Sequence, residues 1–330
     1  MEKRRLGKNG PRVSAVGLGC MGMSEFYGPR NDEVSRQVIR KALEMGVTFL
    51  DTADTYGNGH NEELIAGVIK KWHRETREKI FVATKFGIVR KPGSYEREIC
   101  GRPEYVRAAV DLSLKRLGLD TLDLYYIHRI DTRVPIEETM GALSDLVSQG
   151  KIRYIGLSEP SVPTLLRAHT VHPVTCVQSE YSLFTRDPEA ELLPALREKG
   201  IGLVPYSPLG RGMLSGKLTL EGISDKQDMR QNLPRTSAEY FDRNLALVSR
   251  LEAIAGSRNI STAALAWVLN KGDDIVPIPG TRKIPYLQEN IRAADIRLTR
   301  DEMSAVESVF HSNAVCGERY SPEGMKGVNV

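Results

Sequence analysis

The sequence predicts an α/β protein: a (β/α)8 barrel with an N-terminal β-hairpin and extended loops at its C-terminal mouth. Three observations lead there. Eight short runs rich in β-branched and aromatic residues recur along 330 residues. Each run is close to continuously apolar, as strands of a parallel sheet covered on both faces must be. Most are followed by an amphipathic stretch, and no linker, charge block or low-complexity tract divides the chain. Residues 1–330 therefore read as one domain. An open doubly wound sheet is the competing architecture. The number of units, and a barrel's usual length of ~250 residues plus insertions, favour closure.

The strand candidates are 13–19, 48–53, 80–86, 122–128, 152–158, 175–182, 201–207 and 275–280. Before the first, "RLGKNGPRV" carries an Asn9-Gly10 turn between short runs, a hairpin signal. Helices are expected over 31–46, 102–118, 135–150, 187–200, 239–259 and 261–272. The 31–46 stretch sets Val34, Val38, Leu43 and Met45 on or near one face, behind an Asn or Asp cap and before a closing glycine. The 102–118 stretch has a proline in its first turn and ends at Gly118. Residues 208–238 lack periodicity, and long loops of that kind are often functional.

Composition narrows the function classes. With 41% hydrophobic residues the chain can fill a core, and a net charge of +4 is spread rather than clustered, which argues against nucleic-acid binding. Cys20, Cys100, Cys176 and Cys316 lie far apart without C-x-x-C spacing, so neither a disulfide framework nor a zinc site is expected. No apolar run is long enough for a membrane span. The first residues lack a signal peptide's apolar segment. A cytoplasmic setting is the expectation, and the Asn259 glycosylation sequon is discounted with it.

Gly17–Gly22 spells G-x-G-x-x-G, the fingerprint of a dinucleotide-binding βαβ unit. That reading needs a helix opening at the glycines and an acid about 20 residues on. Here "SEFYGPR" follows Gly22, and Asp51 lies well beyond that spacing. The stretch instead reads as a loop leaving the first barrel strand, with Cys20, Met21, Met23, Phe26 and Tyr27 placed to line a pocket.

A barrel gathers its catalytic groups at the C-terminal strand ends. Those ends carry Asp51, with Tyr56 five residues on, then Lys85, then His128. A lysine closing an apolar strand needs a partner for its charge, and Asp51 is the natural one. Any one of these residues alone reads as core polarity; four at three consecutive strand ends read as a site.

At this point the residues carry a resemblance. "FLDTADTYGNGHNEELIAGVIK", "ATKFG", "LDLYYIHRID", "GKIRYIGLSE", "VQSEYSLF", "VPYSPLGRGMLSGK" and "PIPGTRKIPYLQEN" resemble the aldo-keto reductase superfamily, in order and over nearly the whole chain. The "HRID" and "GLSE" variants are similar to its perakine reductase-like branch. The resemblance implies NADP(H)-dependent reduction of a small carbonyl substrate, with Asp51, Tyr56, Lys85 and His128 as the catalytic tetrad. In that reading Tyr56 is the general acid, its phenol made more acidic by the Lys85 ammonium, and His128 positions the carbonyl. Cys20 and Met21 would border the cofactor. Ser158 and Gln178 match positions holding the nicotinamide carboxamide, and Tyr206 the ring. Ser207, Pro208, Leu209, Arg211 and Lys217 match the pyrophosphate loop. Gly280 and Arg282 match the 2′-phosphate region, Glu289 and Asn290 the adenine end. No metal is implied. One departure is Glu159, where many members have Asn.

Rival readings remain. Potassium-channel β subunits resemble this fold and bind the same cofactor as regulatory modules, but typically lack the tetrad histidine. A Schiff-base aldolase would also place a lysine, here Lys85, on a barrel strand. A carboxylate-pair hydrolase would use Asp51 and Asp54, whose opposite strand parity argues against a common aim. Substrate identity and oligomeric state are not legible.

Overall fold

In the computed structural model, which describes residues 1–76, 79–90, 96–311 and 313–330, parallel strands close around an apolar interior. The hairpin β1 (Lys3–Arg5) and β2 (Arg12–Ser14) is antiparallel, with Arg4 opposite Val13. Then follow β3 (Leu18–Gly19), β4 (Phe49–Asp51) and β5 (Phe81–Phe86), a second hairpin β6 (Ile88–Arg90) and β7 (Arg97–Ile99), and β8 (Leu122–Ile127), β9 (Ile152–Ser158), β10 (Cys176–Glu180) and β11 (Gly202–Tyr206). The barrel order is β11-β10-β9-β8-β5-β4-β3.

The eighth expected strand, 275–280, fills the gap between β11 and β3 without becoming a regular strand. Val276 N–H donates to Leu203 O at 2.9 Å, Ile278 N–H to Pro205 O at 3.0 Å, and Gly17 N–H to Pro277 O at 2.9 Å. Pro277 and Pro279 have no N–H, so the ladder is sparse there. At the seam the backbones of Gly19 and Gly280 approach so closely that a Cβ on Gly280 would lie 2.9 Å from Gly19 O.

The expected first strand, 13–19, is two elements. Residues 12–14 belong to the hairpin; only Leu18–Gly19 enters the barrel. Ser14 Oγ bonds Val16 O at 2.8 Å and turns the chain between them. The hairpin's Leu6 and Val13 are fully buried with Phe49, Leu124, Tyr126 and Val204, so it plugs the barrel interior.

The outer layer contains α1 (Asp32–Glu44), α2 (His60–Thr76), α3 (Pro103–Leu117), α4 (Ile136–Ser148), α5 (Val162–Val171), α6 (Leu192–Lys199), α7 (Phe241–Ala255), α8 (Ile260–Asn270), α9 (Ile284–Arg292) and α10 (Arg300–Val309), with a short α11 (Pro322–Met325) in the tail. Asn31 caps α1, accepting from Val34 N–H, and Gly118 closes α3 in the left-handed region. Val34 itself stays exposed; α1 buries Val38, Ile39, Ala42 and Leu43 instead. Asn259 caps α8 through Ser261 and Thr262 N–H. The stretch 208–238 forms successive 3-10 turns over the mouth. Among the described residues, no helix is long and apolar enough to cross a membrane.

Candidate active site

The C-terminal strand ends bring the four expected residues together. Lys85, on β5, is fully buried. Its ammonium donates to Asp51 Oδ1 at 2.5 Å, Thr52 O at 2.8 Å and Tyr56 Oη at 3.3 Å. Those three bonds use all its donors. A Schiff base at Lys85 would have to break these bonds, which counts against the aldolase reading. The second Asp51 oxygen accepts from Gln178 Nε2 at 2.8 Å. Tyr56 and His128 meet edge to face, ring centroids 5.7 Å apart. Asp54 does not join them. It is half-buried and does not line the cleft, and desolvation, then Glu62, pushes its carboxyl up to about 8.

The electrostatics differ from expectation at Tyr56. Burial, then the Asp51 carboxylate, pushes its phenol well above the usual tyrosine value. The Lys85 ammonium, bonded to the phenol oxygen and to Asp51, does not offset these two effects. Tyr56 therefore holds its proton at neutral pH. Burial also raises the Asp51 carboxyl and lowers the Lys85 ammonium, each opposed by its partner. Burial lowers His128 well below the ordinary histidine value, reinforced by Lys85, Arg129, Arg97 and Arg90. A neutral imidazole can still donate one hydrogen bond. Its Nδ1 is buried without a partner.

From this constellation a cleft of about 980 Å³ runs to the far rim, where Lys217, Arg282, Glu289 and Asn290 line it. Met21, Ser158, Gln178, Tyr206, Ser207, Pro208, Leu209, Arg211 and Gly280 line it between. Cys20 is the exception: its side chain is fully buried among core residues such as Leu18 and Val38 and does not line the cleft. The loop after β11 is strained. Ser207, Gly210, Arg211 and Gly212 all have positive φ, at 47°, 55°, 54° and 99°. For non-glycine residues this costs on the order of 1–3 kcal/mol each, and such strain concentrates at ligand clamps.

Several side chains are engaged differently from the expectation. The Arg211 guanidinium bonds the buried Glu180 carboxylate and stacks 4.4 Å from the Tyr320 ring centroid. Arg282 bonds the carbonyl oxygens of Tyr27 and Pro29, tying the first loop to the far rim. Lys217 pairs with Glu289 at 3.3 Å and lies 4.6 Å from the Tyr286 ring centroid. Glu159 accepts from Arg319 at 3.0 and 3.2 Å, and its carbonyl accepts from Asn329 N–H. The departure at Glu159 thus anchors the C-terminal tail. That tail brings Tyr320, whose hydroxyl bonds that of Tyr206 at 3.0 Å. Tyr286, Arg129, Arg97 and Tyr320 were not singled out in the sequence. Arg129, directly after His128 in "YYIHR", offered the one signal available: a second charge at a barrel strand end.

The comparisons decide the family. Residues 15–310 match the Aldo/keto reductase family. The chain belongs to it. It is 46% identical over 319 residues to a probable aldo-keto reductase 1 of Glycine max, covering 96% of this chain and 91% of that one. It is 44% identical over 326 residues to the Schizosaccharomyces pombe aldo-keto reductase yakc [NADP(+)], covering 97% and 94%. Among solved structures, a glycerol dehydrogenase from Gluconobacter oxydans superimposes with a TM-score of 0.84 at 29% identity, over 93% of this chain and 94% of that one. The holo form of a Bacillus halodurans aldo-keto reductase gives 0.79 at 28%, over 96% and 98%. This member of the family is thus an oxidoreductase of the carbonyl-reducing type, on a barrel.

Proposed function

We propose that this aldo-keto reductase, acting as one barrel domain, reduces an aldehyde or ketone with NADPH, and that Tyr56 is the general acid. The observation that carries the reading is the unbroken chain Asp51–Lys85–Tyr56 at the mouth, with neutral His128 beside it. When bound, the dinucleotide supplies hydride to the carbonyl carbon. Tyr56 gives its proton to the carbonyl oxygen. As the proton leaves, the phenolate gains the adjacent Lys85 ammonium, which Asp51 and Thr52 O hold in place; the stabilisation appears as charge develops. His128 donates a hydrogen bond to the same oxygen. In the oxidising direction Tyr56 is the base.

The cleft suits an extended dinucleotide by size and by donor chemistry. Ser158 and Gln178 would hold the carboxamide, and Tyr206 the ring face. The strained 207–212 backbone with Lys217 would follow the pyrophosphate, and Gly280, Arg282, Glu289 and Asn290 the adenosine end. The NADP(+) in the name of the fission-yeast relative supports the choice of cofactor. Incubation with [4-²H]NADPH and an aldehyde should place deuterium on the alcohol carbon; an aldehyde panel with no NADPH consumption would sink the reading.

Arg282 tests the phosphate preference. Its Tyr27 and Pro29 bonds are to neutral carbonyl oxygens, and a dianionic phosphate is the stronger acceptor. Arg282→Ala should weaken NADPH binding by roughly tenfold or more, the scale of one charge-assisted hydrogen bond, and NADH binding much less. Fluorescence titration with both cofactors measures this. Equal losses would remove Arg282 from the 2′-phosphate site.

A further inference from the structure

Three arginines surround the catalytic end of the cleft: Arg90, Arg97 and Arg129. Each acts on His128 through its field. One is neutralised: Arg90 Nη2 lies 2.8 Å from both oxygens of Glu25. The other two have no carboxylate within salt-bridge distance among the described residues. Arg129 is 5% exposed. It donates from Nη1 to His128 O at 2.8 Å and Ser158 Oγ at 3.2 Å, and its Nε has no partner. Among the described residues, Arg97 donates to the tail carbonyls of Glu323, Gly324 and Lys326, and its Nε is likewise unpartnered.

The acids nearby are already committed. Asp51 holds Lys85, Glu323 pairs with Lys326, and Glu159, which reaches Arg129 through the field, is held by Arg319. Arg97 and Arg129 also repel each other. Guanidinium groups do not shed their charge, and buried charges are normally paired. The phosphate-binding candidates Lys217 and Arg282 touch Glu289 and the first loop and, among the described residues, neither Arg97 nor Arg129, so the proposed phosphate contacts do not involve this pair.

We propose that the carbonyl substrate carries an oxyanion, a carboxylate or a phosphate, and that Arg97 and Arg129 bind it beside Tyr56. The proposal rests on the reductase reading and adds to it the substrate's charge. An oxyanion here would meet two guanidiniums that no carboxylate neutralises, where a neutral group would leave both unanswered. Neutral aldehydes would still reach Tyr56, with lower kcat/KM.

The test compares matched substrates with NADPH: 4-carboxybenzaldehyde against its methyl ester, and glyceraldehyde 3-phosphate against glyceraldehyde. The anionic member of at least one pair should have the higher kcat/KM by about tenfold or more, the scale of a charge-assisted hydrogen bond, and which pair shows it tells carboxylate from phosphate. Arg129→Gln and, separately, Arg97→Gln should collapse that ratio, chiefly through KM. Because Arg97 also ties the tail, benzoate against benzamide as inhibitors of the unaltered enzyme gives the same answer without a substitution. Esters and unphosphorylated substrates reduced as well as their anions, or benzoate no better than benzamide, would overturn the anion site and leave the reductase standing. No reduction of any of the four would overturn the reductase reading itself.

Discussion

Tyr56→Phe should lower kcat by roughly 10²- to 10⁴-fold, the range a positioned general acid contributes, while NADPH binds as before. The phenylalanine keeps the ring against His128 and removes one oxygen. Lys85 retains Asp51 and Thr52 O, so the buried ion pair beneath the ring survives. Stopped-flow reduction and a fluorescence titration with NADPH separate the two quantities. A variant that loses cofactor affinity along with turnover would show Tyr56 to be part of the binding surface and not the acid. A variant of undiminished kcat would hand proton transfer to another group. His128 is a poor substitute, because it is neutral and its cationic surroundings oppose protonation.

The pH dependence follows from the same directions. The Tyr56 phenol is pushed above its ordinary range and the His128 imidazole below its own. Neither of these groups titrates near neutrality in the free chain. The Lys85 charge favours the phenolate, as the sequence suggests, but burial and Asp51 outweigh it in the free chain. The sequence placed an ammonium beside a phenol; it held no measure of how deeply both are buried.

What was legible followed the strength of local signals. Continuous apolar runs such as Leu122–Ile127 admit little but a buried strand, and their spacing implied closure. The signal failed where chemistry interrupts the run. Pro277 and Pro279 reduce the eighth strand to a few bonds, and Ser14 splits the first run into hairpin and barrel. The hairpin of β6 and β7 went unseen because three-residue strands carry almost no periodicity. Helix α5 buries only Leu165 and Ala168, too thin a stripe to stand out. At the site, strand-end residues could be found because a barrel sends them to one place. Arg97 and Tyr320 could not, since their positions depend on a hairpin and a tail whose docking is a long-range event. The opening glycine motif shows the converse. Gly17–Gly22 satisfies the dinucleotide pattern letter for letter, yet it leads from a two-residue strand into a 3-10 turn, and no α-helix begins before Asp32.

Glu180→Ala should be the most destabilising single change at the mouth, by about 3–5 kcal/mol, the cost of stripping the partner from buried charge. Glu180 is fully buried at the end of β10. It meets Arg211 at 2.5 Å and Arg235 at 3.4 Å, and accepts from Thr185 Oγ1 at 2.8 Å. Burial works to raise its carboxyl, but Arg211, Arg235 and Arg319 outweigh it and hold the pKa below the usual 4.5. A native value below the unfolded one gives stability that is whole above the ordinary glutamate range and is lost as pH falls through the native value. The penalty of Glu180→Ala, read from urea unfolding, should therefore be full at pH 7 and shrink in acid as the wild-type pair breaks too. Because the loss comes from uncompensated cations, Glu180→Leu combined with Arg211→Met should recover part of it, as replacing a buried pair by apolar groups often does. If the double variant were as unstable as Glu180→Ala, the carboxylate's role would lie in packing or in the Thr185 bond. If it recovers, Glu180 is the anion that neutralises Arg211 beneath the strained loop after β11.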